Sequence, residues 1–452
     1  MLTHAYSGLL DEGHPMNRWF LNLDVMTGPI PAALWALTAI AGIVLLVRDG
    51  TRRWVITALP AVIGGAILGV GVVWYCNAAD VFGVPLPHGT GWWMSLAGGG
   101  VGLGIATMWR SPWWRKALAA LLIVMAPLSA AIGINAGFGL TPTIGDVFGV
   151  NTLPSVGRLP PATGHRARPA SEPLYRTWRP PATMPKVGRV GTLSGALKIP
   201  STGGFVPRDA TIYLPPAALV PNAPALPLVV MMNGKPGSPN PSHVQAALNR
   251  LAAAHHGLAP IVIVADQLGS PGHQPACSPY SQFGNVSRYF NSDIVRYART
   301  HLNIIDDPAD FTIAGYSDGG ACAVKWASEY PKIWGNVISI SGDLFPGASD
   351  PATALKEGFR GSKAHDLSQR PAVFVTANAG RFAGHHAFFT GGSLDPRFSG
   401  YALRNAEMLQ RAGFGVWLHE ITGATHVGTA LSGGLLAAFG QLYPLLGLAP
   451  AR

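Results

Sequence analysis

Charged residues are scarce in this 452-residue chain, where Asp, Glu, Lys and Arg make up only 12% of the sequence. Soluble globular proteins carry about twice that share, so part of the chain is expected to avoid water. Hydrophobic residues reach 48%, and the mean hydropathy is +0.26. This apolar content excludes intrinsic disorder, and the aperiodic glycines exclude a collagen-like chain.

Cysteine is rare as well, with three in the whole chain. Three cysteines cannot build a disulfide-dense scaffold, and the sequence has no Cys-x-x-Cys motif or Cys/His cluster of the kind that binds zinc. We therefore expect no metal and no other cofactor. The chain has 32 Lys and Arg residues against 22 Asp and Glu residues, which gives a formal net charge of +10. The positions of the basic residues decide which partner this charge indicates.

Apolar stretches without a single charged residue fill the first third of the chain. Each has about the 20 residues that a helix needs to cross the hydrocarbon core of a membrane, and Trp and Tyr cluster near their ends, as at membrane interfaces. We predict four transmembrane helices within 29–138, after an N-terminal segment 1–28. The stretches are 29–47, 54–75, 91–109 and 117–138.

The basic residues of the short loops predict the orientation of these helices. The second loop has none, whereas the first and third loops contain Arg48, Arg52, Arg53, Arg110, Arg115 and Lys116. Positive loops stay in the cytoplasm, so we expect a multi-pass protein of the cytoplasmic membrane whose C-terminal region is extracytoplasmic. No span contains a charged residue, which disfavours ion transport, so the bundle is expected to act as an anchor.

A five-residue motif occurs twice at corresponding positions of this region. Asp80-Val-Phe-Gly-Val follows the second apolar stretch, and Asp146-Val-Phe-Gly-Val follows the fourth. Each copy ends an out-in-out helical hairpin in the predicted topology. The matching positions favour a duplicated hairpin, with the two copies related by an axis along the membrane normal.

The segment 139–186 is predicted to be an outer linker. Its part from 155 onwards is rich in proline, which favours extended conformations, and it carries six basic residues against the single Glu172. Such a segment suits contact with anionic lipid headgroups, although a solvated spacer explains it equally well. Nucleic acid is disfavoured as a partner, because these charges are expected to lie outside the cell.

From residue 187 to 452, short β-rich runs alternate with helical ones. This alternation predicts an α/β domain with a mostly parallel sheet covered by helices on both faces. The run from Pro371 to Thr376 fits a strand or the start of a buried helix, and periodicity does not distinguish them.

The motif Gly315-Tyr316-Ser317-Asp318-Gly319-Gly320 lies between a predicted strand and a predicted helix. A serine on such a sharp turn has its hydroxyl raised clear of the sheet, and the flanking glycines avoid the clashes that side chains would cause. A lone Gly-x-Ser-x-Gly is weak evidence in a glycine-rich chain, but the strand before it and the helix after it strengthen it. We predict that Ser317 is a catalytic nucleophile.

A nucleophilic serine needs a base, and the base needs an orienting carboxylate. In α/β hydrolases the acid and then the histidine follow the serine along the chain. His426, in the loop after the last predicted strand, is the predicted base. Asp395, in the loop after the preceding strand, is the predicted acid, and Asp343, which follows an earlier strand, is the alternative.

Two backbone amides are needed to stabilise the oxyanion of an ester-cleavage reaction. One predicted donor is the N–H of Asp318, which gains from the positive end of the following helix. The other is expected from the loop after the strand ending at Met232, where Pro236 has no N–H and Lys235 or Gly234 must supply it.

Cys277 and Cys322 are predicted to form a disulfide, with Cys76 left free. An oxidising compartment permits the bond, and Cys322 lies one turn into the helix that follows Ser317. The bond would hold the loop around Cys277 beside the active site. Two buried thiols are the alternative.

At these motifs the chain resembles the esterase D-type branch of the α/β hydrolases, which includes secreted mycolyltransferases. The similar features span about residues 187–445 and include Ser341-Gly-Asp-Leu-Phe-Pro, the loop at Asp395 and Gly-Ala-Thr-His426. The front part resembles that of membrane-anchored members. The resemblance implies a triad of Ser317, Asp395 and His426.

Three functions are compatible with the sequence. The first is a serine esterase acting on an envelope lipid, and the second is an acyltransferase that passes the acyl group to a sugar or lipid hydroxyl. The third, a non-catalytic envelope protein, is disfavoured by the intact order of the triad. A tethered enzyme suits a membrane lipid ester, so we expect aminoacyl-phosphatidylglycerol, by resemblance, or else mycolyl and other long-chain acyl esters.

Overall fold

The chain divides into an N-terminal unit, Met1–Thr152, and a C-terminal unit, Leu153–Arg452. The computed structural model describes residues 19–47, 52–109, 111–162 and 172–451. Arg48 and Arg110, which entered the orientation argument, lie outside the described residues. The boundary after Thr152 divides the expected linker 139–186 between the two units.

Long helices form the N-terminal unit. They are α1 (Pro29–Leu46), α2 (Arg52–Ala78), α3 (Thr90–Met108) and α4 (Trp113–Phe138), followed by the single turn α5 (Ile144–Val147). Among the described residues, α1, α2 and α4 are long and apolar enough to cross a membrane. The helix α3 has 19 residues, but its glycines and tryptophans lower its hydropathy. A fourth span therefore stays a prediction.

Close packing of α2 against α3 accounts for Gly98 and Gly102 of α3. A Cβ atom at Gly98 would lie 2.0 Å from the carbonyl oxygen of Gly65, and one at Gly102 would lie 2.0 Å from that of Ala61. Backbones this close leave no room for a side chain. Small residues four positions apart pack helices in this way inside membranes.

The two copies of the Asp-Val-Phe-Gly-Val motif end in the same kind of turn. Gly83 and Gly149 both have a φ of 67°, and the first Val and the Phe of each copy are more than half exposed. The aspartates differ, since Asp80 lies in a turn with a φ of 51°, whereas Asp146 lies in α5 and completes a capping box. The resemblance of the copies is thus local to the glycine turn.

Strands and helices alternate in the C-terminal unit. The strands are β1 (Arg189–Thr192), β2 (Thr211–Leu214), β3 (Leu228–Met232), β4 (Ile261–Val264), β5 (Phe311–Tyr316), β6 (Asn336–Ile340), β7 (His386–Gly392) and β8 (Gly415–Ile421). The helices are α6 (Leu174–Thr177), α7 (Ser242–Ala254), α8 (Val286–Arg288), α9 (Val295–His301), α10 (Asp318–Glu329), α11 (Pro351–Thr353), α12 (Lys363–Ser368), α13 (Pro371–Ala377), α14 (Pro396–Ala412) and α15 (Gly428–Leu445). A π-helical turn, Tyr289–Ile294, connects α8 to α9, and a second one, Ala354–Gly358, follows α11.

The strands form one eight-stranded sheet in the order β1-β2-β4-β3-β5-β6-β7-β8. The strand β2 is antiparallel to β1 and β4, and all other neighbours are parallel. The apolar strands β3 to β6 are buried along their whole length, as in sheets covered on both faces. The predicted mostly parallel α/β-hydrolase fold is confirmed.

Two local features were not settled by the sequence. The strand β1 was not predicted, because four residues that include Arg189 and Gly191 give no apolar run. The run from Pro371 to Thr376 forms the helix α13, with Pro371 at its first position. Proline suits that position because the N–H that it lacks would have no partner within the helix.

The close contact between α2 and α3 predicts a difference between two glycines of the same helix. The Gly65→Leu variant should lower the thermal unfolding midpoint of the detergent-solubilised protein, because a Cβ at Gly65 would lie 2.1 Å from the carbonyl oxygen of Gly98. The matched Gly71→Leu variant should stay close to wild type, because no atom lies within 4 Å of a Cβ there. Equal midpoints for the two variants would contradict the helix packing.

Candidate active site

Ser317 lies at a sharp turn between β5 and α10. Its φ and ψ are 55° and −122°, a conformation that a side-chain-bearing residue adopts only when its surroundings enforce it. A Cβ at Gly315 would lie 2.0 Å from the carbonyl oxygen of Gly319, and one at Gly319 would lie 2.6 Å from that of Asn233. The two glycines therefore permit the turn, which has the geometry of a nucleophile elbow.

The side chains of Ser317, His426 and Asp395 form one hydrogen-bonded chain. His426 Nε2 lies 2.9 Å from Ser317 Oγ, and His426 Nδ1 lies 3.1 Å from Asp395 Oδ2. When Nδ1–H donates to the carboxylate, Nε2 is left to accept the hydroxyl proton of the serine. The three residues are only 9%, 4% and 0% exposed, so little water competes for these bonds. The structure brings together the three residues that the sequence predicted as a triad.

The two candidate acids have different partners. Asp395 accepts a hydrogen bond from His426 through Oδ2 and another from the backbone N–H of Phe398 through Oδ1. The carboxyl of Asp343 is buried too, but it accepts from the hydroxyl of Ser349. Burial raises the pKa of Asp343 to about 7, which favours its neutral form. The geometry therefore favours Asp395 as the partner of the histidine.

Hydrogen bonds join the loop after β7 to the loop after β8. The N–H of Leu394 donates to the carbonyl oxygen of Ala424 at 2.9 Å, and the N–H of Gly423 donates to Ser393 Oγ at 2.9 Å. A Cβ at Gly392 would lie 2.3 Å from the carbonyl oxygen of Ala424, so this approach requires glycine. The acid and the base are thus held together by their backbones as well as by their side chains.

The predicted oxyanion donors lie beside the nucleophile. Asp318 is the first residue of α10, so its N–H has no acceptor within the helix, and the N-terminal end of the helix favours negative charge. A Cβ at Gly234 would lie 3.0 Å from the Cβ of Ser317, which places the loop after β3 against the elbow. Gly234 and the adjoining Lys235 remain the predicted source of the second amide.

Amide side chains that the sequence did not predict support this arrangement. Asn233 donates through Nδ2 to two backbone carbonyls of its own loop at 2.7 and 3.0 Å, and it accepts from Gln267 at its own carbonyl at 2.6 Å. Gln274 donates from Nε2 to Asp318 Oδ1 at 3.2 Å. Asn233 directly follows the carboxyl end of β3, and Gln267 closely follows the carboxyl end of β4. A polar residue just after a parallel strand is the signal that could have identified Asn233 and Gln267 in the sequence.

The carboxyl group of Asp318 is only 3% exposed. Burial raises its pKa above the ordinary value, against the opposing effects of the hydrogen bond from Gln274 and the positive charge of Lys235. The raised pKa shifts this carboxyl toward its neutral form, which repels the negative charge of an oxyanion less than a carboxylate does. Lys235 Nζ lies 2.9 Å from Asp350 Oδ2, which ties the loop after β3 to the start of α11.

A disulfide joins Cys277 to Cys322, whose Cα atoms are 5.7 Å apart, and Cys76 is free. The buried Lys325 of α10 donates from Nζ to the carbonyl oxygen of Cys277 at 3.1 Å. Both contacts hold the segment of Cys277 against α10. Within the described part of the chain, one group of potential metal ligands occurs, Cys277, Asp318 and Cys322, and its two sulfur atoms are already bonded to each other.

Comparison with known proteins gives one family match. The model of the family described as "Putative esterase" matches residues 206–388. The match includes Ser317 and the loop after β3, and it ends before Asp395 and His426. The partnership of the acid and the base therefore rests on the hydrogen bonds of the structure.

Individual proteins are similar over larger parts of the chain. An uncharacterized protein of Corynebacterium glutamicum is 26% identical over 402 residues, which cover 84% of this chain and 87% of that protein. Since the C-terminal unit makes up about two thirds of the chain, this similarity extends into the N-terminal unit. Among solved structures, an S-formylglutathione hydrolase from Agrobacterium tumefaciens is 18% identical, with a TM-score of 0.46, and it covers 58% of this chain and 97% of its own. The protein MPT51 of Mycobacterium tuberculosis is 16% identical, with a TM-score of 0.40, and it covers 55% of this chain and 97% of its own.

The sheet order, the strained serine between β5 and α10 and the serine–histidine–aspartate chain define the C-terminal unit as an α/β hydrolase of the serine type. Within that class, residues 206–388 of the unit match the model of the family described as "Putative esterase". The unit is a carboxylic ester hydrolase.

The different partners of the two acids predict different effects of their removal. The Asp395→Asn variant should lower kcat on p-nitrophenyl butyrate by about 10³- to 10⁴-fold, because the amide no longer holds the imidazole in the required tautomer. The Asp343→Asn variant should stay close to wild type, since Asp343 has its own partner in Ser349. An inactive Asp343→Asn variant beside an active Asp395→Asn variant would show that Asp343 is the acid.

Proposed function

We propose that this protein is a membrane-tethered serine esterase that hydrolyses a carboxylic ester of an envelope lipid through an acyl-enzyme on Ser317. The observation that carries the proposal is the hydrogen-bonded chain from Ser317 through His426 to Asp395. The match of residues 206–388 to the esterase family model supports ester hydrolysis. The helices α1, α2 and α4, which are long and apolar enough to cross a membrane, support the tether.

The triad performs the reaction in two halves. Ser317 Oγ attacks the ester carbonyl carbon while His426 Nε2 accepts the hydroxyl proton, and Asp395 stabilises the imidazolium that forms. The N–H of Asp318 and an amide of the loop after β3 stabilise the oxyanion. His426 then gives the proton to the leaving alkoxide, and the alcohol departs. In the second half a water molecule attacks the acyl-enzyme while His426 accepts its proton, and His426 then returns this proton to Ser317 Oγ as the carboxylic acid departs.

A substrate within the membrane is favoured because the expected membrane helices and the hydrolase unit belong to one chain. Covalent attachment to membrane helices keeps the hydrolase unit at a high effective concentration near lipid, and an enzyme for soluble esters gains nothing from this. The segment 155–186 also exposes basic side chains that suit anionic headgroups. Among its described residues these are Arg158, Arg176, Arg179 and Lys186.

Aminoacyl-phosphatidylglycerol is the first specific candidate, by resemblance to membrane-anchored hydrolases. Mycolyl and other long-chain acyl esters come second, through the resemblance to mycolyltransferases. An acyltransferase would share the first half of the reaction, and a sugar or lipid hydroxyl would replace water in the second half.

The substrate proposal predicts release of the amino acid from alanyl-phosphatidylglycerol by the full-length protein in mixed micelles. The Ser317→Ala variant should release none, because the acyl-enzyme cannot form. Ser432→Ala is the matched control, since Ser432 Oγ also lies 2.8 Å from a histidine nitrogen, that of His243, but outside the triad. Its activity should equal that of wild type.

Other outcomes of the same assay separate the alternatives. Release of a fatty acid instead of the amino acid, or release of mycolic acid when a mycolyl ester is supplied in place of alanyl-phosphatidylglycerol, would favour the second candidate. Transfer of the acyl group to added trehalose would show that the enzyme is an acyltransferase. Faster cleavage of soluble short-chain esters than of every lipid tested would contradict a lipid substrate.

The proposed orientation predicts on which side of the membrane the C-terminal unit and the basic loops lie. In a Cys76→Ser background, a membrane-impermeant maleimide added to intact cells should label a Leu403→Cys variant, because Leu403 is 48% exposed in the C-terminal unit. Arg53→Cys and Lys116→Cys variants should be labelled only after the membrane is made permeable. Labelling of the two loop variants in intact cells would contradict the proposed topology.

A further inference from the structure

Two aromatic residues, Tyr316 and Phe398, each connect two members of the triad. Tyr316 directly precedes Ser317, and its hydroxyl donates to the backbone carbonyl oxygen of His426 at 3.1 Å. The backbone N–H of Phe398 donates to Asp395 Oδ1 at 3.3 Å, and the centre of its ring lies 3.7 Å from that of the His426 imidazole. Tyr316 thus links the nucleophile to the base, and Phe398 links the acid to the base.

Both rings pack against the imidazole. The ring of Tyr316 lies 5.3 Å from that of His426, with an angle of 24° between the planes, and the ring of Phe398 lies at an angle of 33°. The two aromatic residues are only 3% and 0% exposed, so neither ring is free to move aside. These contacts restrict rotation of the imidazole, while the hydrogen bond from Tyr316 fixes the backbone that carries it.

The base needs such support because its own strand provides little. His426 follows β8, which lies at the edge of the sheet and is largely accessible to solvent. A catalytic group has to be held within about 0.5 Å of its productive position. Tyr316 at the end of β5 and Phe398 in α14, which make these contacts, are themselves buried. They connect His426 to the parts of the domain that hold Ser317 and Asp395.

We propose that Tyr316 and Phe398 are positioning residues, which keep the imidazole of His426 aligned between Ser317 Oγ and Asp395 Oδ2. The inference rests on the proposed role of His426 as the general base. Burial raises the pKa of Tyr316 above its ordinary value, so its hydroxyl stays protonated and donates to His426 throughout the physiological pH range.

The Tyr316→Phe variant tests the hydroxyl alone, because the ring remains. With the full-length protein in mixed micelles and p-nitrophenyl butyrate as substrate, kcat should fall about 5- to 10-fold, the effect of losing one buried hydrogen bond, with KM unchanged. The rate of reaction with a fluorophosphonate probe should fall by the same factor. The matched control is Tyr213→Phe, which removes another buried hydroxyl, bonded to Asn249 at 3.1 Å and far from the triad along the sheet. Its kcat should equal that of wild type.

The Phe398→Leu variant tests the ring, because the backbone N–H that holds Asp395 remains. A fall of about 10-fold or more in kcat is expected, again without a change in KM, since a loosened base slows proton transfer. The control is Phe382→Leu, which shortens a fully buried ring that packs against Phe414 instead of a triad residue.

A double-mutant cycle separates positioning of the base from a general structural effect. In a His426→Ala background, Tyr316→Phe and Phe398→Leu should cause no further loss of the residual activity, because the group that they position is absent. The inference is overturned if both variants keep the wild-type kcat, or if each reduces the residual activity of His426→Ala by its full factor. Failure to cleave any lipid ester would contradict the lipid-substrate proposal and leave this inference standing, because the cycle is measured on a soluble ester.

Discussion

The hydrogen bond between Ser317 Oγ and His426 Nε2 joins residues that are 109 positions apart in the chain, and the reaction depends on its length of 2.9 Å. The sheet makes this contact possible. The strands β5, β6, β7 and β8 run parallel in that order, so the loops that follow β5, β7 and β8 emerge at one edge. The serine, the acid and the base each begin one of these loops or lie within it. The strand order therefore determines which residues can meet.

The sequence was sufficient to single out Ser317 as the candidate nucleophile, because the signal of its motif is local. The glycines at 315 and 319 are required by backbone contacts within and directly around the turn, and the strand and helix beside them are visible as apolar runs. The acid was harder to choose. Asp343 and Asp395 both follow parallel strands, and Asp343 follows the strand that is nearer to Ser317. The decision comes from the bonds between the loops after β7 and β8, at Leu394 and Gly423, which no pattern in the sequence displays.

The supporting residues of the site lie beyond sequence reasoning for a related reason. Gln274, Tyr316 and Phe398 act through contacts with residues 44, 110 and 28 positions away. In the linear sequence, each of them looks like an ordinary core or loop residue. The strand β1 was missed for the opposite reason, because its residues carry no pattern and its place comes from pairing with β2. Local chemistry predicts the reacting groups, whereas the groups that align them depend on the finished fold.

The glycine-rich helix α3 illustrates a conflict between two demands on one segment. Hydropathy favours large apolar side chains for a helix in lipid, but close helix packing favours glycine. A Cβ at Gly98 would collide with α2, and a Cβ at Gly104 would lie 2.5 Å from the side chain of Ile123 in α4. The helix α3 is therefore packed between two helices that are themselves long and apolar enough to cross a membrane. A helix in that position exposes less of its own surface to lipid, so its low hydropathy reflects its neighbours and is compatible with a fourth span.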